Sequence, residues 1–232
     1  MKFKEDVLNF YGIMLSSKQI QMFETYYHSL IKYNETTNLT RITEYEDVYY
    51  KHYFDSLTIL HSIDIRNVES ICDMGSGAGF PSLPIKILYP HLKITIIDSS
   101  SKRINFLTSI VDLLELSNVE LIHDRVELYA KRNQAKFDLV TARAFGAMPL
   151  ILEMGIPMVK EGQHFIAMKA SGFKEEIKTA IQTLRILHSE ISSIDEFELP
   201  HNYGFRCNIN IKKNKHISGY PRTYANIKNK PL

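Results

Sequence analysis

The sequence contains no tryptophan, only two cysteines and no long apolar run. Cys72 and Cys207 are too few for a disulfide scaffold, and they form neither a C-x-x-C pair nor a Cys/His cluster with zinc spacing. We therefore expect a reducing compartment, no metal site and no catalytic cysteine. No stretch approaches the ~18 apolar residues of a membrane span, and the N-terminus lacks a signal-type apolar segment. These absences predict a soluble, cytoplasmic protein.

The net charge is also small, +2 at pH 7, but it is unevenly distributed. No acidic residue follows Glu198, whereas basic residues continue to the end of the chain. A segment with charge of one sign is typical of a contact with a polyanion, although a solvated tail would have the same composition. The candidate contacts, which lack an acidic neighbour in the sequence, are Arg206, Lys212, Lys213, Lys215 and Arg222. Aromatic residues are interleaved with them: Tyr203, Phe205, Tyr220 and Tyr224.

The first 65 residues are predicted to be helical. Ser16 and Gln19 form a capping box in front of a helical stripe of apolar residues. Thr43 and Glu46 form a second capping box, which predicts the start of another helix. We therefore predict an N-terminal helical extension at residues 1–65.

From residue 66 onward, short apolar runs alternate with helical segments. Strands are predicted at 70–74, 93–98, 119–123, 137–142 and 163–169, and helices at 81–88, 101–116, 147–157 and 173–188. This alternation is typical of a mostly parallel, doubly wound sheet with right-handed crossovers. Two extended segments at 191–199 and 205–212 have no helix between them and predict an antiparallel edge hairpin. We therefore predict an α/β, Rossmann-like domain at residues 66–232.

The loop after the first predicted strand carries the most informative motif, Asp73-Met74-Gly75-Ser76-Gly77-Ala78-Gly79-Phe80. The dinucleotide fingerprint G-x-G-x-x-G fails because Phe80 occupies its last position, and no phosphate-binding G-x-x-x-x-G-K-[ST] is present. Asp-x-Gly-x-Gly-x-Gly is instead the pattern of class I S-adenosylmethionine enzymes. The carboxylate of Asp73 suits the ammonium group of that cofactor.

Other candidate residues follow the remaining strands. Asp98 ends the second strand, near the spacing of about 20 residues expected for an acid that binds ribose hydroxyls. Val126 and Glu127 follow the third strand and would flank the adenine. Arg143 follows the fourth, where a side chain faces the transferring methyl group. The sequence lacks an N-P-P-Y motif for amino-group methylation and a Pro-Cys pair for cytosine C5 chemistry.

Together these segments resemble the bacterial RsmG (GidB) family of small-subunit ribosomal RNA (guanine-N7)-methyltransferases. The matching segments are Asn38-Leu39-Thr40, His52-Tyr53-Phe54-Asp55-Ser56-Leu57, the glycine loop through Pro81, Asp98-Ser99-Ser100-Ser101-Lys102-Arg103, Asp124-Arg125-Val126-Glu127, Thr141-Ala142-Arg143-Ala144 and Tyr220-Pro221-Arg222. One departure is Val126, where many relatives have alanine; a backbone contact would survive that change.

The resemblance implies methyl transfer from S-adenosylmethionine to N7 of a guanosine in the 530 loop of 16S ribosomal RNA, free or within the 30S subunit or an assembly intermediate. It places cofactor contacts on Gly75, Gly77, Phe80, Asp98, Val126, Glu127 and Arg143, to which the loop chemistry adds Asp73. Guanine N7 carries a free lone pair and no proton, so the reaction requires no general base. We assign no catalytic residue and expect Arg143 to position the cofactor or the RNA, because a cation would not stabilise the cationic product.

Several assignments stay open at this point. His52 and Asp55 either cap a helix or brace the cofactor pocket. RNA contacts are expected from Lys212, Lys213, Lys215 and Arg222, and the protein is expected to be a monomer. The alternatives are a small-molecule or protein methyltransferase on the same fold, which the basic C-terminal segment disfavours, and a dehydrogenase or non-catalytic RNA-binding module. The misplaced third glycine disfavours the dehydrogenase, and the Asp73/Asp98 set disfavours a dead pocket.

Overall fold

The computed structural model describes residues 2–232 and contains one seven-stranded sheet in the order β3-β2-β1-β4-β5-β7-β6. The first five strands are parallel, as the alternating pattern predicts, and β7 is antiparallel to both of its neighbours. The strands are β1 (Ser70–Met74), β2 (Lys93–Asp98), β3 (Val119–His123), β4 (Phe137–Arg143), β5 (Val159–Lys169), β6 (Ser189–Leu199) and β7 (Gly204–Lys213). The predicted edge hairpin is therefore confirmed.

The helices lie before, between and after the strands. They are α1 (Lys2–Tyr11), α2 (Ser17–Thr37), α3 (Tyr45–Val48), α4 (Asp55–Leu57), α5 (Ile59–Ser62), α6 (Ser82–Leu88), α7 (Ser101–Leu113), α8 (Val126–Arg132), α9 (Met148–Gly155), α10 (Phe173–Ile186) and α11 (Tyr224–Asn229). The strand order reverses at β1, which lies between β2 and β4. Ligands of doubly wound folds bind at such a switch point, beyond the carboxyl ends of the strands.

The two predicted capping boxes have different outcomes. The Ser16–Gln19 box is present, with each side chain bonded to the backbone of the other residue. The Thr43–Glu46 box is wrong, because Glu44 is the N-cap of α3 and makes no capping hydrogen bond. Beyond α3 the chain continues as a π-helix (Tyr49–Phe54), a rare geometry that is frequent at functional sites.

Two hydrophobic clusters hold the fold together. The first joins Phe23 and Tyr26 of α2 to Leu83 of α6 and Ile94 of β2. The second contains residues of β1, β4, β5 and β7 together with α9 and α10. Because the N-terminal helices share the first cluster with the sheet, packing is continuous across residue 65. The division into residues 1–65 and 66–232 stays a prediction.

Both cysteines are buried and unpaired by disulfides. Burial raises the pKa of the Cys207 thiol to about 12 and that of Cys72 well above its usual value, which makes both poor nucleophiles. Within residues 2–232, no helix is long and apolar enough to cross a membrane. The same residues contain no group of three or more His, Cys, Asp or Glu side chains that could hold a metal ion.

Candidate active site

The glycine loop between β1 and α6 adopts a conformation that depends on its glycines. Gly75 and Gly77 have φ values of +68° and +63°, in the left-handed region. A Cβ atom on Gly75 would lie 2.2 Å from the ring of Phe145. Gly75 N donates to the carbonyl of Ile97 at 2.8 Å, which ties the loop to β2. The loop therefore exposes backbone, rather than side chains, at the carboxyl end of β1.

Asp73 lies fully buried beneath this loop. Its Oδ2 accepts hydrogen bonds from the hydroxyl of Ser82 at 2.6 Å and from the Ser82 amide at 3.3 Å. Its Oδ1 and the nearby Ser76 Oγ are buried and have no hydrogen-bond partner among the described residues. Burial raises the pKa of Asp73 to about 7, against the opposing effect of the Ser82 hydrogen bonds. Because unsatisfied buried polar atoms are rare and costly, this pair is suited to a ligand that supplies the missing donor.

Asp98 ends β2 and organises the neighbouring loop. Its Oδ1 accepts from the Ser100 amide at 2.9 Å. Its Oδ2 accepts from the Gly77 amide at 3.4 Å and from Arg103 at 3.2 Å. The carboxylate lines a cavity although it is only 2% exposed. A carboxylate oxygen has two lone pairs, so Asp98 retains capacity for ligand hydroxyls.

Two adjoining cavities collect almost all of the predicted cofactor residues. The first cavity, about 400 Å³, is lined by Gly75, Asp98, Val126 and Glu127 among others. The second cavity, about 320 Å³, is lined by Gly75, Gly77, Phe80 and Arg143 among others. The two share Gly75, Arg103 and Phe145, and Asp73 lies behind the loop between β1 and α6. The fold thus assembles residues from four strand ends into one continuous site of ligand-binding size.

The sequence left the role of His52 open, and the structure shows it bracing Arg143. His52 Nδ1 lies 3.2 Å from Arg143 NH2, and its Nε2 lies 3.0 Å from Thr40 Oγ1. A guanidinium can only donate, so Nδ1 is the acceptor and the imidazole proton is on Nε2. Burial, together with the charge of Arg143, lowers the pKa of His52 to about 3. The ring stacks on Phe80 with centroids 4.4 Å apart. His52 is therefore a neutral support within the second cavity.

Asp55, the other open residue, lies between two arginines. Its Oδ2 accepts from Arg143 NH1 at 3.0 Å, and its Oδ1 accepts from Arg206 Nε at 3.0 Å. Arg143 also donates to the carbonyl of Lys51 at 3.3 Å. The π-helix carries Lys51 and His52 and ends just before Asp55. Each of these contacts with Arg143 therefore comes from one short segment.

A third cavity, about 340 Å³, adjoins the second and shares His52, Arg143 and Ala144 with it. It lies at the carboxyl ends of β4 and β5 and at the start of β7. Its charged lining consists of Lys51, Asp55, Arg143, Lys169 and Arg206, and its apolar lining includes Ile42 and Met168. This combination of flat apolar surface and cations suits a nucleotide.

The basic C-terminal residues are not grouped as the sequence suggested. Lys213 is fully buried, and its ammonium donates to the carbonyls of Pro157 and Val159 at 3.1 and 2.6 Å. The prediction that Lys213 contacts RNA is therefore wrong. Lys212 is paired in register with His164, well before the carboxyl end of β5, so it lies toward the end of the sheet opposite the cavities.

The expectation that these cations lack acidic neighbours is also wrong for two of them. Arg206 pairs with Asp55, and Arg222 pairs with Glu153 at 2.6 Å. Lys212 and Lys215 are exposed. RNA contacts by Lys212, Lys215 and Arg222 stay predictions.

Some cavity residues were not among the predicted site residues. Met154 lines the first cavity although it lies on a helix that carries no motif. Tyr224 lines it from the C-terminal segment, where the sequence showed only an aromatic residue among cations. Phe145 lies at the junction of the first two cavities. Its place directly after the strand-end Ala142-Arg143-Ala144 was the one signal available for it.

The sheet order, the glycine loop and the strand-end Asp98 define the Rossmann-like fold of class I methyltransferases. A solved 16S rRNA (adenine(1408)-N(1))-methyltransferase from Catenulisporales acidiphilia has this fold, with a TM-score of 0.53 and 12% identity over 70% of this chain and 92% of that one. The [4+2]-cyclase SpnF also matches, with a TM-score of 0.53 and 14% identity over 69% of this chain and 80% of that one. Because a protein named a cyclase shares the fold, the fold alone does not fix the reaction.

Sequence similarity is more specific. The family described as rRNA small subunit methyltransferase G matches residues 19–202. Proteins named ribosomal RNA small subunit methyltransferase G from Acholeplasma laidlawii and Staphylococcus saprophyticus are 46% and 44% identical to this chain. Each alignment covers 97% of this chain, with 98% and 95% of the respective relative. The chain belongs to the rRNA small subunit methyltransferase G family, which confirms the resemblance found in its motifs.

Proposed function

We propose that this protein transfers a methyl group from S-adenosylmethionine to N7 of a guanosine in the 530 loop of 16S ribosomal RNA. Its family supports methylation of small-subunit ribosomal RNA. The choice of N7 and of the 530 loop extends the resemblance of its motifs to the RsmG family. The cytoplasm as its compartment and a monomeric state belong to the same proposal.

The residues around the first two cavities suit this cofactor. Asp98 would accept the ribose hydroxyls, Val126 and Glu127 would flank the adenine, and Asp73 would accept the ammonium donor that its buried Oδ1 lacks. Gly77, Phe80 and Arg143 line the adjoining second cavity. S-adenosylmethionine supplies an electrophilic methyl group on a cationic sulfonium. The protein residues then have mainly to bind and align the reactants, a role that can contribute a large part of a rate enhancement.

The observation that carries N7 as the target is the state of the two possible bases at the junction of the second and third cavities. The acceptor nitrogen of His52 is occupied by Arg143, and the pKa of His52 is lowered to about 3. Both oxygens of Asp55 are occupied by arginines. Neither side chain is free to remove a proton from a substrate. Guanine N7 has no proton to remove and presents an in-plane lone pair, so it matches this environment.

The third cavity is where the target nucleotide would enter, because it adjoins the cavity that contains Arg143. Ile42 and Met168 would contact the base, and Arg206, Lys51 and Lys169 would contact phosphate. Phosphate contacts supply most of the salt-dependent affinity of a protein for RNA. On this proposal the principal RNA surface surrounds the third cavity, and Lys212, Lys215 and Arg222 are secondary contacts.

Methyl transfer from labelled S-adenosylmethionine to naked 16S RNA and to 30S particles tests the proposal directly. Digestion of the product to nucleosides, followed by mass spectrometry, should yield 7-methylguanosine. An Asp98→Ala control should lose roughly 1–3 kcal/mol of cofactor binding, as loss of hydrogen bonds to a charged group does. A labelled ribose, cytosine or adenine would show that the target is wrong. Label on a protein or small molecule in place of RNA would favour the other methyltransferase class.

A further inference from the structure

The C-terminal segment, residues 220–232, returns to the first cavity. The family match ends at residue 202, so this segment lies outside it. Gln134 donates to the carbonyl of Tyr220, and Thr183 donates to the carbonyl of Leu232 at 2.9 Å. Ile227, in α11, is 1% exposed and packs in the second hydrophobic cluster. The segment is therefore fixed to the body of the protein at several points.

Its strongest attachment is the ion pair between Arg222 and Glu153. Arg222 Nε and NH2 donate to the two carboxylate oxygens of Glu153 at 2.7 and 2.6 Å. The Arg222 amide also donates to this carboxylate at 3.0 Å. Glu153 is fully buried in α9, and the next residue, Met154, lines the first cavity. The pair therefore fixes the chain beside the cavity two residues before Tyr224.

Tyr224 then lies in the wall of the first cavity, beside the residues that follow β3. The guanidinium of Arg125 lies 4.7 Å from the centre of the Tyr224 ring. Arg125 Nε in turn pairs with Glu127 at 2.6 Å. Tyr224 remains 38% exposed, an unusual amount for a large aromatic ring that has a fixed backbone around it. Its surface is therefore available to a planar ligand in this cavity.

We propose that Tyr224 forms an aromatic wall of the adenine subsite and contributes directly to binding of S-adenosylmethionine. This inference rests on the proposed function, because it assumes that the adenosine half of the cofactor lies in the first cavity, between Asp98 and Glu127. A planar purine gains free energy by packing against an aromatic ring, and Tyr224 is the aromatic side chain at that end. The competing explanation is a surface tyrosine held by Arg125 without a ligand contact.

Isothermal calorimetry with S-adenosylhomocysteine on the full chain separates the two explanations. Tyr224→Ala should raise the dissociation constant roughly five- to thirtyfold, the lower part of the range for loss of one base–aromatic stack. Tyr224→Phe should bind like the wild type, because it keeps the ring. Tyr45→Ala is the matched control, since Tyr45 is 36% exposed and lies away from the site, on α3. Urea unfolding of each variant verifies that the fold is retained.

A second ligand shows which part of the cofactor Tyr224 contacts. 5′-Methylthioadenosine keeps the adenosine and lacks the amino acid tail, so Tyr224→Ala should weaken it by the same factor as S-adenosylhomocysteine. Loss for S-adenosylhomocysteine alone would place Tyr224 at the amino acid end and overturn the adenine assignment. Wild-type affinity in Tyr224→Ala would overturn the inference and leave the proposed function intact. Failure of the wild-type protein to bind either ligand would overturn both.

Discussion

Replacing Asp73 with asparagine should make the ligand-free protein more stable and the cofactor bind less tightly. Asp73 is fully buried, and one of its oxygens has no partner among the described residues. Burial raises its pKa to about 7, from an ordinary value of 3.8. A carboxylate in this position therefore destabilises the native protein whenever it is ionised. Asparagine has nearly the same shape and can still accept hydrogen bonds from Ser82.

The magnitude follows from the displacement of the pKa. A difference of about three units corresponds to roughly 4 kcal/mol, because each unit is worth about 1.4 kcal/mol. The native pKa exceeds the unfolded one, so the stabilising effect of protonation is fully present below about pH 4 and is lost as the pH rises to about 7. In the variant, the amide group gains a buried NH₂ without an acceptor, which offsets about 1–3 kcal/mol. We expect a net stabilisation of about 1–3 kcal/mol at pH 8.

Urea unfolding of the ligand-free protein at pH 5 and pH 8 measures this effect. The gain should be present at pH 8 and should shrink or reverse at pH 5, where wild-type Asp73 is already protonated. Calorimetry at pH 8 should show at least tenfold weaker binding of S-adenosylmethionine to Asp73→Asn, because the variant lacks the charge that faces the ammonium group.

Asp138→Asn provides a matched control with the opposite sign. Asp138 is 7% exposed at the start of β4, far along the strand from the cavities, and accepts from the Ser70 hydroxyl and from Lys160 at 2.8 and 2.7 Å. Burial tends to raise its pKa, but Lys160 and Ser70 outweigh burial and hold the pKa below its usual value. Asp138→Asn should destabilise the protein at pH 8 and leave cofactor affinity unchanged. Destabilisation by Asp73→Asn at pH 8, or wild-type cofactor affinity in that variant, would refute the reasoning.

Three further predictions concern the basic residues. Arg206→Met should weaken RNA binding and lower its salt slope by about 0.7–0.9, more than Lys212→Ala with Lys215→Ala does; a larger loss in the lysine pair across a salt series would return the RNA site to the C-terminal segment. Arg222→Met should destabilise the protein by about 2–3 kcal/mol, because it leaves the buried Glu153 charged and unpaired, while Arg222→Met with Glu153→Leu should recover most of that loss in urea unfolding; equal losses in both variants would contradict it. Burial lowers the pKa of Lys213 to about 8, below its unfolded value of 10.5, so its contribution to stability is present above pH 10.5 and lost as the pH falls through 8. Lys213→Met should therefore flatten the stability profile between these pH values without changing RNA affinity, and an unchanged profile would show that Lys213 does not titrate as inferred.

The parallel strands and the cofactor loop could be predicted from sequence because their signals are local. Short apolar runs define β1, β2 and β3, and the glycines with Asp98 fix a chemistry that depends on strand ends alone. The Thr43 capping box failed because the choice of N-cap depends on backbone geometry that tertiary packing decides. Around it, the carbonyl of Thr43 accepts a hydrogen bond from the distant Tyr27 hydroxyl, and Glu44 begins the helix instead.

Charge composition indicated a kind of partner but could not locate it, since side-chain pairing is a property of the fold. Arg206 lies 151 residues from Asp55 along the chain, and Arg222 lies 69 residues from Glu153, yet both pairs form. Lys213 follows Lys212 directly, but alternation along β7 buries one ammonium and exposes the other. A run of cations on a strand therefore presents at most every second charge to one face. The part of such a segment that acts on a ligand is set by which elements it packs against, and here the packing brings Tyr224 to the first cavity and Arg206 to the third.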